Sequence, residues 1–549
     1  MTTPNTRLQV MWNRLLAVVE EQGQALIRAA FSPIVRECGD ISAGIFDVEG
    51  RMLAQAVTGT PGHINTMAEA VKTLLGRFEI QNMKPGDIYM TNDPWIASGH
   101  LNDFLLMMPV FYNNSVVGFT SCTSHLVDLG GLGMGPEVGD IFDEGLLIPP
   151  CKLVDAGVLN TLLMDIVKAN SREPIANEGD IYALIASCET GAARLSGMME
   201  EFGIDHLDEL STYIIDTSYH GTVNAIADLP KGVWRSVLKV DGYEQEIDLC
   251  AALTIADDHV ALDFTGTSGL SAKGVNVPLN DAAAYSVFAM RCIIGPDIPN
   301  NAGSLAPFRV SGPKDCILNA QPPAPVAMRH TLGQMTPDLV YGCLSQALPD
   351  QVPAEGASCM YDLPLRHAPE AVSKSDKKFA LELVYSGGTG ARPSLDGLSA
   401  TAFPSGVWGS QVETTEAVAP VLITRRELKP DSGGPGRMRG GLGQHIEVQS
   451  SIDQDFLLFL SVERVRNPAR GRFGGGDGAP GRIHIAGDGA DLPGKGEVRV
   501  KAGQTLIFET PGGGGFGDSS DRPQKDVQHD LDEGLISPEA ALHQYGANK

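Results

Sequence analysis

Two short stretches of the chain, GHLNDFLLMMPV (99–110) and SHLVDLGG (124–131), each place a histidine three residues before an aspartate. The pairs are His100 with Asp103 and His125 with Asp128. Two neutral imidazoles and one or two carboxylates bind a divalent first-row cation well, at about 2.0–2.2 Å for zinc, with a position left open for water. A nitrogen and oxygen donor set without thiolate suits zinc or manganese, and also iron(II). Either pair alone is weak evidence. An aspartate before a strand often caps a turn, and a histidine is often a satisfied polar residue.

The elements that would position these residues strengthen the case. FLLMMPVFY (104–112) and SVVGFTSCT (115–123) flank Asn113-Asn114, a pair that tolerates the left-handed backbone a tight turn needs. This predicts a hairpin in which Tyr112 pairs with Ser115, Asp103 faces Ser124, Asn102 faces His125 and His100 faces Val127. Opposed residues on paired strands lie about 4.5–5.5 Å apart. His100, Asp103, His125 and Asp128 therefore gather at the open end of one hairpin. A further ligand from elsewhere could complete the set. Asp40, opening a second hairpin, and His63, in TPGHINTM, are both candidates. Glu144, in DEGLLIPP, either supports the site from behind or is simply solvated.

The rest of the chain alternates helical and extended patterns. Residues 7–31 carry apolar residues at helical spacing. Residues 40–56 read as two strands joined at Asp47–Gly50, and 66–78 as an amphipathic helix. Two helices are expected over 179–202 and 206–229, with Gly203 as a C-cap between them. The chain then turns β-rich, with helices expected at 281–293 and 331–349. Ser537-Pro538-Glu539 reads as the start of a terminal helix. Glycines, 63 in all, concentrate at 430–443, 471–478 and 511–517, as in tight turns or close backbone approaches. The expected fold class is α+β: several layers of mainly antiparallel sheet, a helical hairpin and a β-rich, Gly-rich C-terminal region. The expected division is 1–165 (metal-site region), 166–230 (helical hairpin), 231–425 (α/β middle), 426–520 (β-rich) and 521–549 (helical tail).

Bulk properties exclude several functions. A net charge of −26, from 41 Lys and Arg against 67 Asp and Glu, disfavours nucleic acid and anionic membrane. FLLMMPVFY is far shorter than the roughly 18 apolar residues of a membrane span. Nine cysteines without a C-x-x-C pair suggest reduced thiols in a cytoplasm. The chain lacks a P-loop, a dinucleotide fingerprint opening a helix and a nucleophile elbow. The cluster SGGTGARPSLDG (386–397), around Arg392 and Asp396, reads as a structural turn before a substrate loop.

The stretches FSPIVRECGDISAGIFDVEGRMLAQA, GHINTM, MKPGDIYMTNDPWIASGHLNDFLLMMPVF, SHLVDLGGLGMGPEVGDIFDEGLLIPP, SGGPGRMRGGLG and TPGGGGFGD resemble the hydantoinase B / acetone carboxylase alpha-subunit family. The resemblance runs from about residue 7 to 546. It implies one divalent metal, zinc or manganese first and iron next, held by Asp40, His100, Asp103 and His125. It leaves Asp128 and His63 for proton handling or for orienting a ligand. It also implies that ATP and magnesium bind a separate A-type subunit, in an A2B2-like complex that opens a hydantoin, lactam or imide ring. The rivals are a subunit of an ATP-dependent acetone or acetophenone carboxylase, and a non-catalytic scaffold with a structural metal.

Overall fold

The computed structural model describes residues 4–57, 59–368 and 378–546. Its N-terminal part is built on a seven-stranded sheet. The strands are β1 (Ile41–Phe46), β2 (Met52–Gln55), β3 (Ile88–Thr91), β4 (Asp103–Tyr112), β5 (Ser115–His125), β6 (Cys151–Asp155) and β7 (Val158–Leu159), in the order β2-β1-β5-β4-β3-β6-β7. Every pairing in it is antiparallel. Both faces are covered, so β1 and most of β4 and β5 are buried on both sides. This explains their near-continuous apolar runs in place of clean alternation. One face carries the helices Pro4–Ala29 and Pro174–Phe202, the other the helix Pro61–Arg77.

The hairpin β4–β5 turns at Asn113 and Asn114, with φ of 48° and 64°, and Tyr112 pairs with Ser115 as expected. The register then shifts. Val110 pairs with Gly118 and Phe111 with Val116, so Val117 is one residue too many. Such a bulge moves everything beyond it by one position. Asp103 therefore faces His125, and not Ser124.

Helices Pro174–Phe202 and Asp208–Ala227 follow, and Gly203 closes the first in the left-handed conformation, φ 62°. The two diverge. The first packs on Pro4–Ala29 and on β4 and β5, the second on Ala302–Leu305 and Pro4–Ala29. A four-stranded sheet (Phe308–Ser311, Val260–Asp263, Ile247–Ile255, Gly232–Val240) shares a core with the helices Leu279–Ile293 and Thr336–Ala347. Two further four-stranded sheets face each other across a third core. One is Ala380–Tyr385, Tyr361–His367, Phe456–Ser461 and Lys495–Val500. The other is Val421–Leu428, Gln444–Ser450, Thr505–Glu509 and Arg482–Ile485. Strand pairing thus crosses the expected boundary at 425/426. We propose one β-rich unit over about 355–517 in its place.

The glycine clusters interlock in space. Gly440 donates to Gly434 O, Gly434 to Gly513 O, Gly513 to Gly441 O and Gly441 to Thr389 O. A Cβ at Gly513 would stand 1.9 Å from Thr389 O, and one at Gly440 would stand 1.9 Å from Gly513 O. Of the turn and close-approach readings, close approach accounts for these positions. The terminal helix begins at Pro538, with Ser537 accepting from the Ala540 amide.

Candidate metal centre

His100, Asp103 and His125 each offer a ligand atom, all within 4.8 Å of one another, and all three residues are buried. Two local devices deliver them. Asp103 and His125 stand opposite each other at the open end of the bulged hairpin. His100 lies in the irregular approach to β4. Gly99 beside it has φ 90°, and a Cβ there would meet Asp281 at 2.9 Å and Arg329 at 3.1 Å, so only glycine lets those two charged groups close on the site.

The donor atoms are chemically ready. His100 Nδ1 lies 3.2 Å from Ala327 O, so Nδ1 carries the proton and Nε2 keeps its lone pair. Nε2 lies 3.0 Å from Asp103 Oδ1, yet among the described residues neither atom has a hydrogen-bond partner, nor does either ring nitrogen of His125. Unsatisfied polar atoms this deep are costly. A shared cation would satisfy them together, and two imidazoles with a carboxylate fit zinc or manganese. Protonation agrees. Burial, with Arg329 next, lowers His100; burial, with His100 next, holds His125 well below the usual histidine range. Burial alone would raise Asp103, but His100, His63 and Arg329 pull it well below the ordinary carboxylate value. Neutral imidazoles and an ionised carboxylate are the states a metal requires.

Asp40 lies beside this trio rather than inside it. Its Oδ1 accepts from Thr60 Oγ1 at 2.8 Å and lies 3.6 Å from His63 Nδ1. Thr60 is the N-cap residue of the helix Pro61–Arg77, but its side chain makes no cap hydrogen bond and serves Asp40 instead. His63 follows in that helix's first turn and bridges the two carboxylates, with Nε2 3.0 Å from Asp103 Oδ2. Burial opposes a proton there, yet Asp103 and Asp40 raise its pKa above the usual value.

Asp128 is occupied elsewhere. It accepts from the Arg172 backbone and pairs with the Arg172 guanidinium. Among the described residues, no hydrogen bond or ion pair joins it to a histidine. We propose that it also anchors the loop before the helix Pro174–Phe202, beside the two roles expected of it, orienting a ligand and handling a proton. Glu144 Oε1 accepts from the Val326 and Ala327 amides, so it fixes the carbonyl that orients His100. Burial, only partly offset by those two amides, pushes its carboxyl up to about 8. Asp396 is taken by Arg522, and Arg392 by Asp396 O, as a structural turn requires.

Sequence reasoning missed five residues. Arg329 donates to Asp103 Oδ2 at 2.7 Å and to Ser98 O, and its Nε lies 3.2 Å from Asp281 Oδ1. His330 Nε2 lies 3.7 Å from Asp362 Oδ2, and Glu382 Oε2 lies 3.7 Å from His125 Nδ1. Burial raises Asp281 to about 6 and Asp362 to about 7. These residues come from three distant parts of the chain and share no spacing with the motif.

Residues 5–519 match the model of the Hydantoinase B/oxoprolinase family. The chain belongs to that family. A Methanocaldococcus jannaschii protein is 30% identical over 96% of this chain and 93% of its own length. Caprolactamase subunit beta of Pseudomonas jessenii is 28% identical over 98% of this chain and 95% of its own. The crystal structure of the ATP-dependent caprolactamase from Pseudomonas jessenii matches with a TM-score of 0.90 at 26% identity, covering 100% of this chain and 96% of that one. A nucleotide-free acetone carboxylase structure matches with a TM-score of 0.84 at 20% identity, over 98% of this chain and 79% of that one, and so shares the fold.

Proposed function

We propose that this Hydantoinase B/oxoprolinase family chain is the metal-holding B-type subunit of an ATP-dependent hydrolase that opens a small cyclic amide. It would work with a separate ATP-binding A-type subunit, as an A2B2 complex in the cytoplasm. The observation that carries this reading is the trio His100, Asp103 and His125, whose facing donor atoms are buried, converging and without hydrogen-bond partners among the described residues. Likeness to caprolactamase supplies the substrate class. We assign Asp40 as the fourth ligand, because it sits one histidine away.

When bound, a divalent cation supplies Lewis acidity and lowers the pKa of a nearby water. The protein's residues do the rest. Arg329 and His63 hold Asp103 Oδ2, which leaves Oδ1 turned to the histidines. Ala327 O holds the His100 tautomer. His63 keeps a proton between Asp103 and Asp40, where it can be returned to the ring nitrogen released on opening.

The test is metal analysis of the wild type and His100→Ala, with ATP hydrolysis followed in a cyclic-amide screen on the co-expressed pair. Stoichiometric metal in the wild type, its loss in the variant and amide-dependent ATP use are expected. Undiminished metal in His100→Ala would overturn the site. A ketone carboxylase subunit would instead consume ATP in a bicarbonate-dependent way, and a scaffold would leave full activity in His125→Ala.

A further inference from the structure

A surface cavity shares the side chain of Glu382 with the surroundings of His125. It has a volume of about 220 Å³ and is lined by Phe31, Ile34, Val127, Glu173, Ala176 and Glu382, among others. Phe31, 56% exposed, stands at the mouth. A Cβ at Gly179 would meet the Phe31 ring at 2.2 Å, so the helix Pro174–Phe202 is shaped to receive that ring. Glu382 is buried and stands at the inner end. It lines the cavity, yet its Oε2 is 3.7 Å from His125 Nδ1, and its Oε1 has no hydrogen-bond partner among the described residues.

The strand behind it extends the polar wall. Pro364 pairs with Glu382 and Asp362 with Val384, so Asp362 and Glu382 are diagonal neighbours on one face. Asp362 Oδ1 and both ring nitrogens of His330 also lack hydrogen-bond partners among the described residues. Buried polar atoms that find no partner within the protein are satisfied by water or by a ligand. The volume is below that of sites for drug-sized ligands, about 300–1,000 Å³. It suits a compact ring and excludes a nucleotide or a folded peptide. A ring amide is held cis, with its N–H and C=O on the same edge. A ring whose N–H is held by Glu382 would sit beside His125, whose Nδ1 is 3.7 Å from that carboxylate.

We propose that this cavity admits the cyclic amide, and that Glu382 positions the ring by accepting its N–H beside His125. The inference rests on the metal-centre reading above and adds to it an entry route and a positioning residue.

The experiment uses the full chain co-expressed with its ATP-binding partner, with 2-pyrrolidinone, hydantoin and ε-caprolactam as probes. The variants are Glu382→Leu, Glu382→Gln and Ala176→Trp. Glu382→Leu should keep stoichiometric metal and raise KM by roughly tenfold or more with a smaller change in kcat, as when a buried hydrogen bond to substrate is lost. Glu382→Gln keeps a carbonyl acceptor and should recover most of that loss. Ala176→Trp, on the partly exposed face of its helix, narrows the cavity. It should depress kcat/KM more for ε-caprolactam than for 2-pyrrolidinone, and slow the release of bound metal to a chelator severalfold. The release measurement needs no turnover. An unchanged KM in Glu382→Leu overturns the positioning role, and wild-type release and kcat/KM in Ala176→Trp overturn the route. A wild-type chain without metal overturns the underlying reading instead, before any variant is made.

Discussion

At the scale of single residues, the charges at the centre are balanced by groups the sequence motif does not contain. Asp103 and Asp281 are both fully buried, and Arg329 is the guanidinium set against both. Removing one partner of a buried ion pair costs about 3–5 kcal/mol, so Arg329→Met should lower unfolding stability by that order in urea titration. It should weaken metal binding too, because Asp103 loses its fixed orientation. Glu144 gives a pH signature. Its folded carboxyl stands near 8 against 4.5 for the ordinary group. The native state therefore holds a proton that the unfolded state has lost, and stability falls as pH rises from about 4.5 to about 8. In Glu144→Gln that titration is gone. Between pH 5 and pH 9 the variant should still lose stability in urea titration, because Asp281 and Asp362 titrate in both proteins, but less than the wild type, by a difference on the order of a few kcal/mol. The pairs His100–Asp103 and His125–Asp128 suggested metal chemistry from residue type and spacing, and three of the four, His100, Asp103 and His125, come together in space. Arg329, His330, Asp362 and Glu382 were not legible, because a partner supplied across more than 200 residues leaves no periodic trace. Spacing placed Asp128 in the motif but gave no sign of its pairing with Arg172.

At the scale of elements, one bulge decides which residues meet. The turn at Asn113-Asn114 was legible from its sequence, since both positions need positive φ. The extra residue, Val117, was not. It is a buried β-branched residue in an apolar run, indistinguishable by pattern from its neighbours. Because a one-residue slip sends a side chain to the opposite face, the bulge decides that His125 faces Asp103. Turn and register can be separated by experiment. Asn114→Val forces a β-branched residue into the left-handed region and should cost about 1–2 kcal/mol by denaturant unfolding. Asn114→Gly should be neutral or slightly stabilising. Metal stoichiometry should be unchanged in both, since the bulge lies between the turn and the ligands. Loss of metal in folded Asn114→Gly would mean that the turn, and not the bulge, holds the register.

At the scale of the whole molecule, the centre lies where three packed regions meet. The N-terminal sheet gives His100, Asp103 and His125, the middle region Asp281, Arg329 and His330, and the β-rich region Asp362 and Glu382. The glycine segments tie that last region together by backbone hydrogen bonds. Composition signalled their concentration, but whether each served a turn or a close approach depended on segments that only the fold brings together. Two glycines separate the cases. Gly513→Ala would drive a Cβ to 1.9 Å from Thr389 O, between backbones that cannot rotate away, and should cost at least about 3 kcal/mol. Gly197 lies within the helix Pro174–Phe202, and a Cβ there meets nothing within 4 Å. Gly197→Ala should stabilise by about 0.5–1 kcal/mol through the entropy of the unfolded chain. If three-region assembly builds the centre, Gly513→Ala should also weaken metal binding, although residue 513 contributes no ligand. The reason is that Glu382 and Asp362 stand on a sheet whose neighbouring glycine segments hydrogen-bond across 387–389, 441 and 511–513. Measured by metal titration of the folded protein at low temperature, Gly513→Ala should bind several-fold more weakly than Gly197→Ala. Equal affinities in the two variants would show that the N-terminal sheet holds the cation without help from the β-rich region.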